Sequence, residues 1–112
     1  MKVSKILVTG ENFTALLDQL RMHYGRNYNF NSGNLYVYIN EDSYFRIGSN
    51  LTNTVIVNLN DEINCTIEFI CSGGGTGMDG TTWGSEGKSF KEFIEFLKNL
   101  CQRNSWTYKV IS

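Results

Sequence analysis

The sequence predicts an α+β domain, an antiparallel β-meander sheet with two helices packed on one face, in the order β-α-β-β-β-β-(β)-α-β. Three observations predict it. Apolar residues recur at helical spacing in two stretches, near residues 11–24 and 89–104. Between them lie four runs in which apolar and polar residues alternate. The connections between those runs are short and polar, which means antiparallel hairpins rather than crossovers.

Residues 3–9 read as a first strand. A helix is expected over 11–24, where Phe13, Leu16, Leu17, Leu20 and Tyr24 fall on one face. Gly25 stops it, as glycine commonly does just past a helix end. Residues 26–34 read as a loop, or as a short irregular strand ending in a turn. The first alternating run then places Leu35, Val37 and Ile39 on one face and Tyr36 and Tyr38 on the other. Residues 40–43 predict a turn into a strand over 44–47, and residues 48–50 predict a second turn. Val55, Val57 and Leu59 alternate with Thr54, Ile56 and Asn58. Asn60-Asp61 turns the chain into Cys65, Ile67, Phe69 and Cys71, which alternate with Thr66, Glu68 and Ile70.

Asp79-Gly80 is a hairpin signal that folds residues 75–78 against 81–83 as a short additional strand. Ser89-Phe90-Lys91-Glu92 fits a capping box, with Ser89 as N-cap of the second helix. Phe90, Phe93, Ile94, Leu97, Leu100 and Cys101 line its apolar face, and Asn104 ends it. Residues 106–110 alternate again as a terminal strand. One sheet face carries enough apolar positions to receive both helices, and the other stays partly open.

No linker, repeat or charge block divides the 112 residues, so residues 1–112 are expected to form one domain. Only 19% of residues are charged, below the roughly 25% of typical domains, so asparagine, serine and threonine supply much of the polar surface. The net charge of −1 and the absence of a basic stripe argue against a nucleic-acid partner. No stretch approaches the roughly 20 apolar residues of a membrane span. The apolar run at the N-terminus is too short for a signal peptide, so a cytoplasmic protein is expected. Cys65, Cys71 and Cys101 fit that compartment, being odd in number and forming no Cys-x-x-Cys pair. All three are expected to pack as small apolar residues, Cys71 being the most exposed.

Seven of the chain's eleven glycines lie between Gly73 and Gly87. So dense a tract implies a special backbone path, a close contact or mobility. Its end, Gly84-Ser85-Glu86-Gly87-Lys88-Ser89, has some letters of a phosphate-binding loop running into a helix. The full pattern needs glycine where Thr82 stands, and too few residues follow for the parallel sheet of a nucleotide hydrolase. What survives is a small-molecule or anion site made by backbone N–H groups, with Gly74, Gly75, Gly84, Gly87, Lys88 and Ser89 as its residues. The plainer alternative is that the tract is architectural.

No catalytic set emerges, and no enzyme activity, metal site or cofactor is expected. His23 is the sole histidine, near a helix end, with no partner for acid–base work. The pairs Glu41-Asp42 and Asp61-Glu62 sit in expected turns. Glu68 faces the open side of the sheet. There is no Gly-x-Ser-x-Gly nucleophile elbow: around Ser85 the first glycine of the pattern is replaced by Trp83, and the large parallel sheet that an elbow requires is not predicted. The aromatic residues point elsewhere. Tyr36, Tyr38 and Tyr44 are read as an interaction surface for a homodimer or protein partner. A non-enzymatic binding module is therefore the expected function.

The run Gly73-Gly74-Gly75, a short hairpin, then Trp83-Gly84-Ser85-Glu86 before an aromatic-rich last helix resembles a family of short bacterial single-domain proteins of unknown function. The arrangement of the preceding strand, helix and meander is similar, so the likeness covers most of the chain. The resemblance implies a bacterial, single-domain protein and transfers no activity or site residue. The stretch 106–112 departs from the pattern.

Overall fold

A computed structural model of the chain describes residues 2–44, 49–73 and 83–112. The order is β1 (Lys2–Thr9), α1 (Thr14–Tyr24), β2 (Tyr28–Ser32), β3 (Leu35–Tyr44), β4 (Ser49–Leu59), β5 (Asn64–Gly73), α2 (Trp83–Asn104) and β6 (Thr107–Val110). The strands form one sheet in the order β2-β3-β4-β5-β1-β6, and all neighbours are antiparallel. Strands β2 to β5 are a meander, β1 lies against β5, and β6 closes the far edge. This is the α+β architecture that the alternation predicts.

Helix α1 buries the stripe its spacing defines, with Phe13, Leu16 and Leu20 buried and Leu17 and Tyr24 packed against the core. It starts after Asn12, whose φ of 58° turns the chain and whose Oδ1 accepts the Thr14 N–H at 3.3 Å. Gly25 closes it by donating to the Arg21 carbonyl at 3.1 Å. Glycine is needed there for space, because a Cβ would lie 2.9 Å from the Tyr38 ring and 3.0 Å from the Arg21 carbonyl. The following segment forms β2. Gly33, with φ +58°, and Asn34 make the two-residue turn into β3.

The turn expected at residues 40–43 does not form. Strands β3 and β4 pair without interruption from Leu35↔Asn58 to Tyr44↔Ser49, making one long hairpin where two short ones were expected. The turn-type residues serve tertiary hydrogen bonds instead. Asn40 is buried and its Oδ1 accepts from Arg26 Nε at 3.1 Å, while the Glu41 N–H donates to Asn27 Oδ1 at 2.9 Å. Of the second expected turn, Ser49 and Asn50 belong to β4, while Gly48 and residues 45–47 of the strand expected before it lie outside the described residues. The hairpin strand expected over 75–78 and most of its mate lie outside the described residues; Trp83, its last position, is helical.

Helix α2 starts six residues before the capping box. Ser89 is therefore not an N-cap; it is a buried residue in the second turn. Ser89, Phe93, Leu97 and Leu100 fall at i, i+4, i+8 and i+11, the stripe that faces the sheet. A small side chain on that stripe fits against the strands, and the helix continues upstream at one added hydrogen bond per residue. The helix ends at Asn104 as expected. Ser105 takes φ 59°, and the Trp106 N–H returns to the Cys101 carbonyl at 2.9 Å, a Schellman ending.

Both helices lie on one sheet face. Ile6 and Val8 of β1, Val55 and Val57 of β4, and Cys65, Ile67 and Phe69 of β5 meet them. Phe69 stacks on Phe93 with ring centroids 4.4 Å apart, and Tyr24 sets its edge against both rings. Cys71, expected to be the most exposed thiol, is fully buried because it shares the parity of Phe69.

Candidate interaction surface

Side chains alternate across a strand, so each residue that meets the helices has neighbours facing the opposite way. The register collects those neighbours into rows. One row reads Phe30, Val37, Ile56, Glu68, Lys5 from β2 across to β1; the next reads Tyr28, Ile39, Thr54, Ile70, Val3. No helix among the described residues covers them. Phe30 is 48% exposed, Tyr28 53% and Val3 49%, and Leu35 adds a further exposed side chain below Val37. Two rows about 7 Å apart over five strands, with Leu35 and Leu7 beyond, span an apolar face on the order of 400 Å². Its charged members, Glu68 and Lys5, stand directly opposite each other in the register and balance.

The tyrosines fall on the other side. Tyr38 is only 3% exposed and belongs to the core, so it is not part of an interaction surface. Tyr36 shares its side of the sheet and is partly buried against the core. Tyr44 ends β3, and its side chain lies outside what the structure describes. The alternation is as the sequence predicts, but the faces are exchanged. The helices cover the tyrosine side, because Val55 and Val57 of the next strand pair with Tyr38 and Tyr36 and α1 seals that row. Burial pushes the Tyr38 hydroxyl up to about 12; neighbouring Tyr36 and Asp18 add to the shift, and Arg21 opposes it.

Above Tyr36 and Tyr38, between α1 and the β2–β3 hairpin, runs an open cleft of about 390 Å³. Asn29 and Asn31 form its outer wall. Its cation, Arg21, lies 4.0 Å from Asp18 one turn away, and both are well exposed. The charges cancel, so the cleft has no net attraction for an ion.

The anion cradle expected at the glycine tract is not formed by Gly87, Lys88 and Ser89. Only the first four N–H groups of a helix lack an internal partner, and in a helix beginning at Trp83 these three positions come later. Lys88 is exposed and Ser89 buried, so they do not converge on one site. Gly84 lies in the first turn of α2, while Gly74 and Gly75 lie outside the described residues.

The remaining reactive groups are occupied structurally. Burial, with Cys101 nearby, pushes the Cys65 thiol up to about 12, and burial takes Cys101 to about 11. Protonated, buried thiols are inert as nucleophiles. His23 is exposed at the end of α1, its ring against the Phe96 ring at 5.3 Å. Asp61 shapes the β4–β5 turn by accepting the N–H groups of Ile63 and Asn64, each at 2.9 Å. The Ile63 bond foremost, then the Asn64 side-chain amide, which also donates to the carboxylate, hold its carboxyl below the usual range. Among the described residues no cluster of His, Cys, Asp and Glu could hold a metal, and no helix is long and apolar enough to cross a membrane.

Comparison with protein-family models, with curated proteins and with solved structures found no match for the chain.

Sequence reasoning missed Val3, Tyr28, Phe30, Ile56 and Ile70 as surface residues. The signal was present. Ile56 and Ile70 occupy the positions between buried residues of their strands, where a solvated face carries polar side chains.

Proposed function

We propose that this chain is a non-enzymatic protein-interaction module, and that its contact surface is the uncovered sheet face centred on Val37 and Ile56. The bacterial and cytoplasmic setting belongs to the same proposal; the first draws on the family resemblance and the second on the three free cysteines. One observation carries the reading: apolar residues on five adjacent strands share a face that no helix among the described residues covers. The largest exposed apolar patch on a protein surface is often functional. The partner is a protein surface of matching apolar character, either another chain or a copy of this one. The inert thiols and the isolated histidine support binding rather than catalysis.

The test is substitution at the centre of the face. Val37→Lys and Ile56→Lys each place a charge in the middle of the patch without touching the helix side. Tagged wild-type protein isolated from its own cells should retain a stoichiometric partner that both variants lose, with melting temperatures held within a few degrees. Variants that keep both fold and partner would sink the proposal.

A further inference from the structure

We infer that β2 is a self-pairing edge, through which two copies of this chain join by antiparallel β2–β2′ pairing about a two-fold axis at Phe30. The argument rests on the backbone of β2 and is independent of the apolar face.

Among the described residues, strand β2 is hydrogen-bonded to β3 alone and ends the sheet. Its register with β3 decides which backbone groups point outward. Ser32 and Leu35 flank a two-residue turn, so they form a hydrogen-bonded pair. Pairs then alternate, which makes Phe30↔Val37 and Tyr28↔Ile39 hydrogen-bonded as well. The Asn27 N–H also reaches the Ile39 carbonyl, at 3.2 Å, in keeping with that phase. The N–H and C=O groups of Asn29 and Asn31 therefore face away from the sheet.

A second copy satisfies these groups by symmetry. With the axis at Phe30, Asn29 opposes the partner's Asn31 and Asn31 opposes the partner's Asn29. Both are hydrogen-bonded pairs, so all four outward groups of each copy find partners. Phe30 opposes its own copy in the closer, non-hydrogen-bonded kind of pair, where side chains touch best. That contact covers a ring now 48% exposed. A two-fold contact requires a self-complementary strand, and Tyr28-Asn29-Phe30-Asn31-Ser32 is nearly a palindrome about its centre.

The edge also lacks charge and proline, two of the usual protections against such pairing. Edge strands are blunted with lysine, proline, bulges or shortness. The opposite edge, β6, has four residues and an exposed Lys109. Strand β2 has no charge or proline, and all five residues are exposed. A net charge of −1 per chain leaves little repulsion between copies. The two apolar faces would then continue into each other as one twelve-stranded surface.

A five-residue ladder buries less than a standard interface, so the dimer is weak, with a dissociation constant between about 1 μM and 1 mM. Sedimentation equilibrium across that range should show the mass rising from one chain to two. In step with it, amide exchange at Asn29 and Asn31 should slow at least tenfold. Asn31→Pro removes one outward N–H, which an edge strand tolerates, and should remain monomeric throughout. Ile56→Lys should still dimerise, which separates this pairing from contacts made by the apolar face. A chain that stays monomeric at 1 mM overturns the inference. So does a dimer in which the Asn29 and Asn31 amides exchange at the monomer rate. The exchange measurement uses wild-type protein, so it decides the matter even where Asn31→Pro does not fold.

Discussion

At the scale of single residues, contact geometry constrains this protein more than conformational freedom does. Gly10 follows β1, and the Trp106 indole lies directly on it, so that a Cβ at this position would run into the ring. Trp106 is held there from two further sides. Its Nε1 donates to the Glu11 carbonyl at 2.8 Å, and its ring meets Phe13 at 5.5 Å. The indole thus ties the segment after α2 to the loop between β1 and α1. Gly10→Ala should destabilise the fold by about 1–3 kcal/mol, the usual cost of overpacking. Urea denaturation would measure this, and a midpoint unchanged from wild type would show that the indole can yield. Trp106 illustrates how a role escapes a linear reading. Its alternation with Tyr108 and Val110 marks a strand start, whereas its position is fixed by a glycine 96 residues away in the chain.

At the scale of elements, α2 carries conformational cost at both ends. Ser105 holds a left-handed φ of 59°, which costs a non-glycine residue roughly 1 kcal/mol. Near the other end, a Cβ on Gly87 would meet nothing within 4 Å, so this glycine only weakens the helix, by about 0.5–1 kcal/mol relative to alanine. Ser105→Gly and Gly87→Ala should each raise stability by these amounts. Being far apart, they should add to nearly 2 kcal/mol in the double variant. Thermal denaturation would show it, and a Gly87→Ala change without gain would mean that the first turns of α2 contribute little in solution. The same helix shows what periodicity reveals and what it hides. Phe93, Leu97 and Leu100 fixed its buried face from sequence. Its start was misplaced because Ser89 and Glu92 match a capping pattern that also fits a buried small residue on that stripe. Likewise Asn40 and Asp42 look like a turn locally, but a continuous ladder with β4 and the bond from Arg26 outweigh that preference. Strand parity was legible throughout. Which parity the helices would cover was not, because Leu35, Val37 and Ile39 are more apolar than Tyr36 and Tyr38. The choice depends on Val55, Val57 and Phe69 in neighbouring strands, whose register no single run discloses.

At the scale of the whole molecule, the sheet divides two environments, a closed layer beneath the helices and an open apolar face. The closed layer contains groups that must stay neutral, and this makes stability depend on alkali. Tyr38 is raised to about 12 from 10.0, Cys65 to about 12 and Cys101 to about 11, both from 9.0. In each case burial is the main cause, since it disfavours the charged form. The unfolded chain therefore releases these protons at lower pH than the folded one. Their contribution is fully present below pH 9 and is lost as pH rises from about 9 to 12. Each group contributes a slope of up to about 1.4 kcal/mol per pH unit between its two values. Denaturant midpoints should thus fall steeply above pH 9, with the thiols leading and Tyr38 following above 10. Tyrosinate absorbance should show one tyrosine ionising only as the protein unfolds. Cys65→Val, which carries no titrating proton, should flatten the early part of the decline. A midpoint that stays level from pH 8 to 11 would mean that water reaches the layer beneath the helices. The distinction between the two faces, on which the interaction reading depends, would then fail with it.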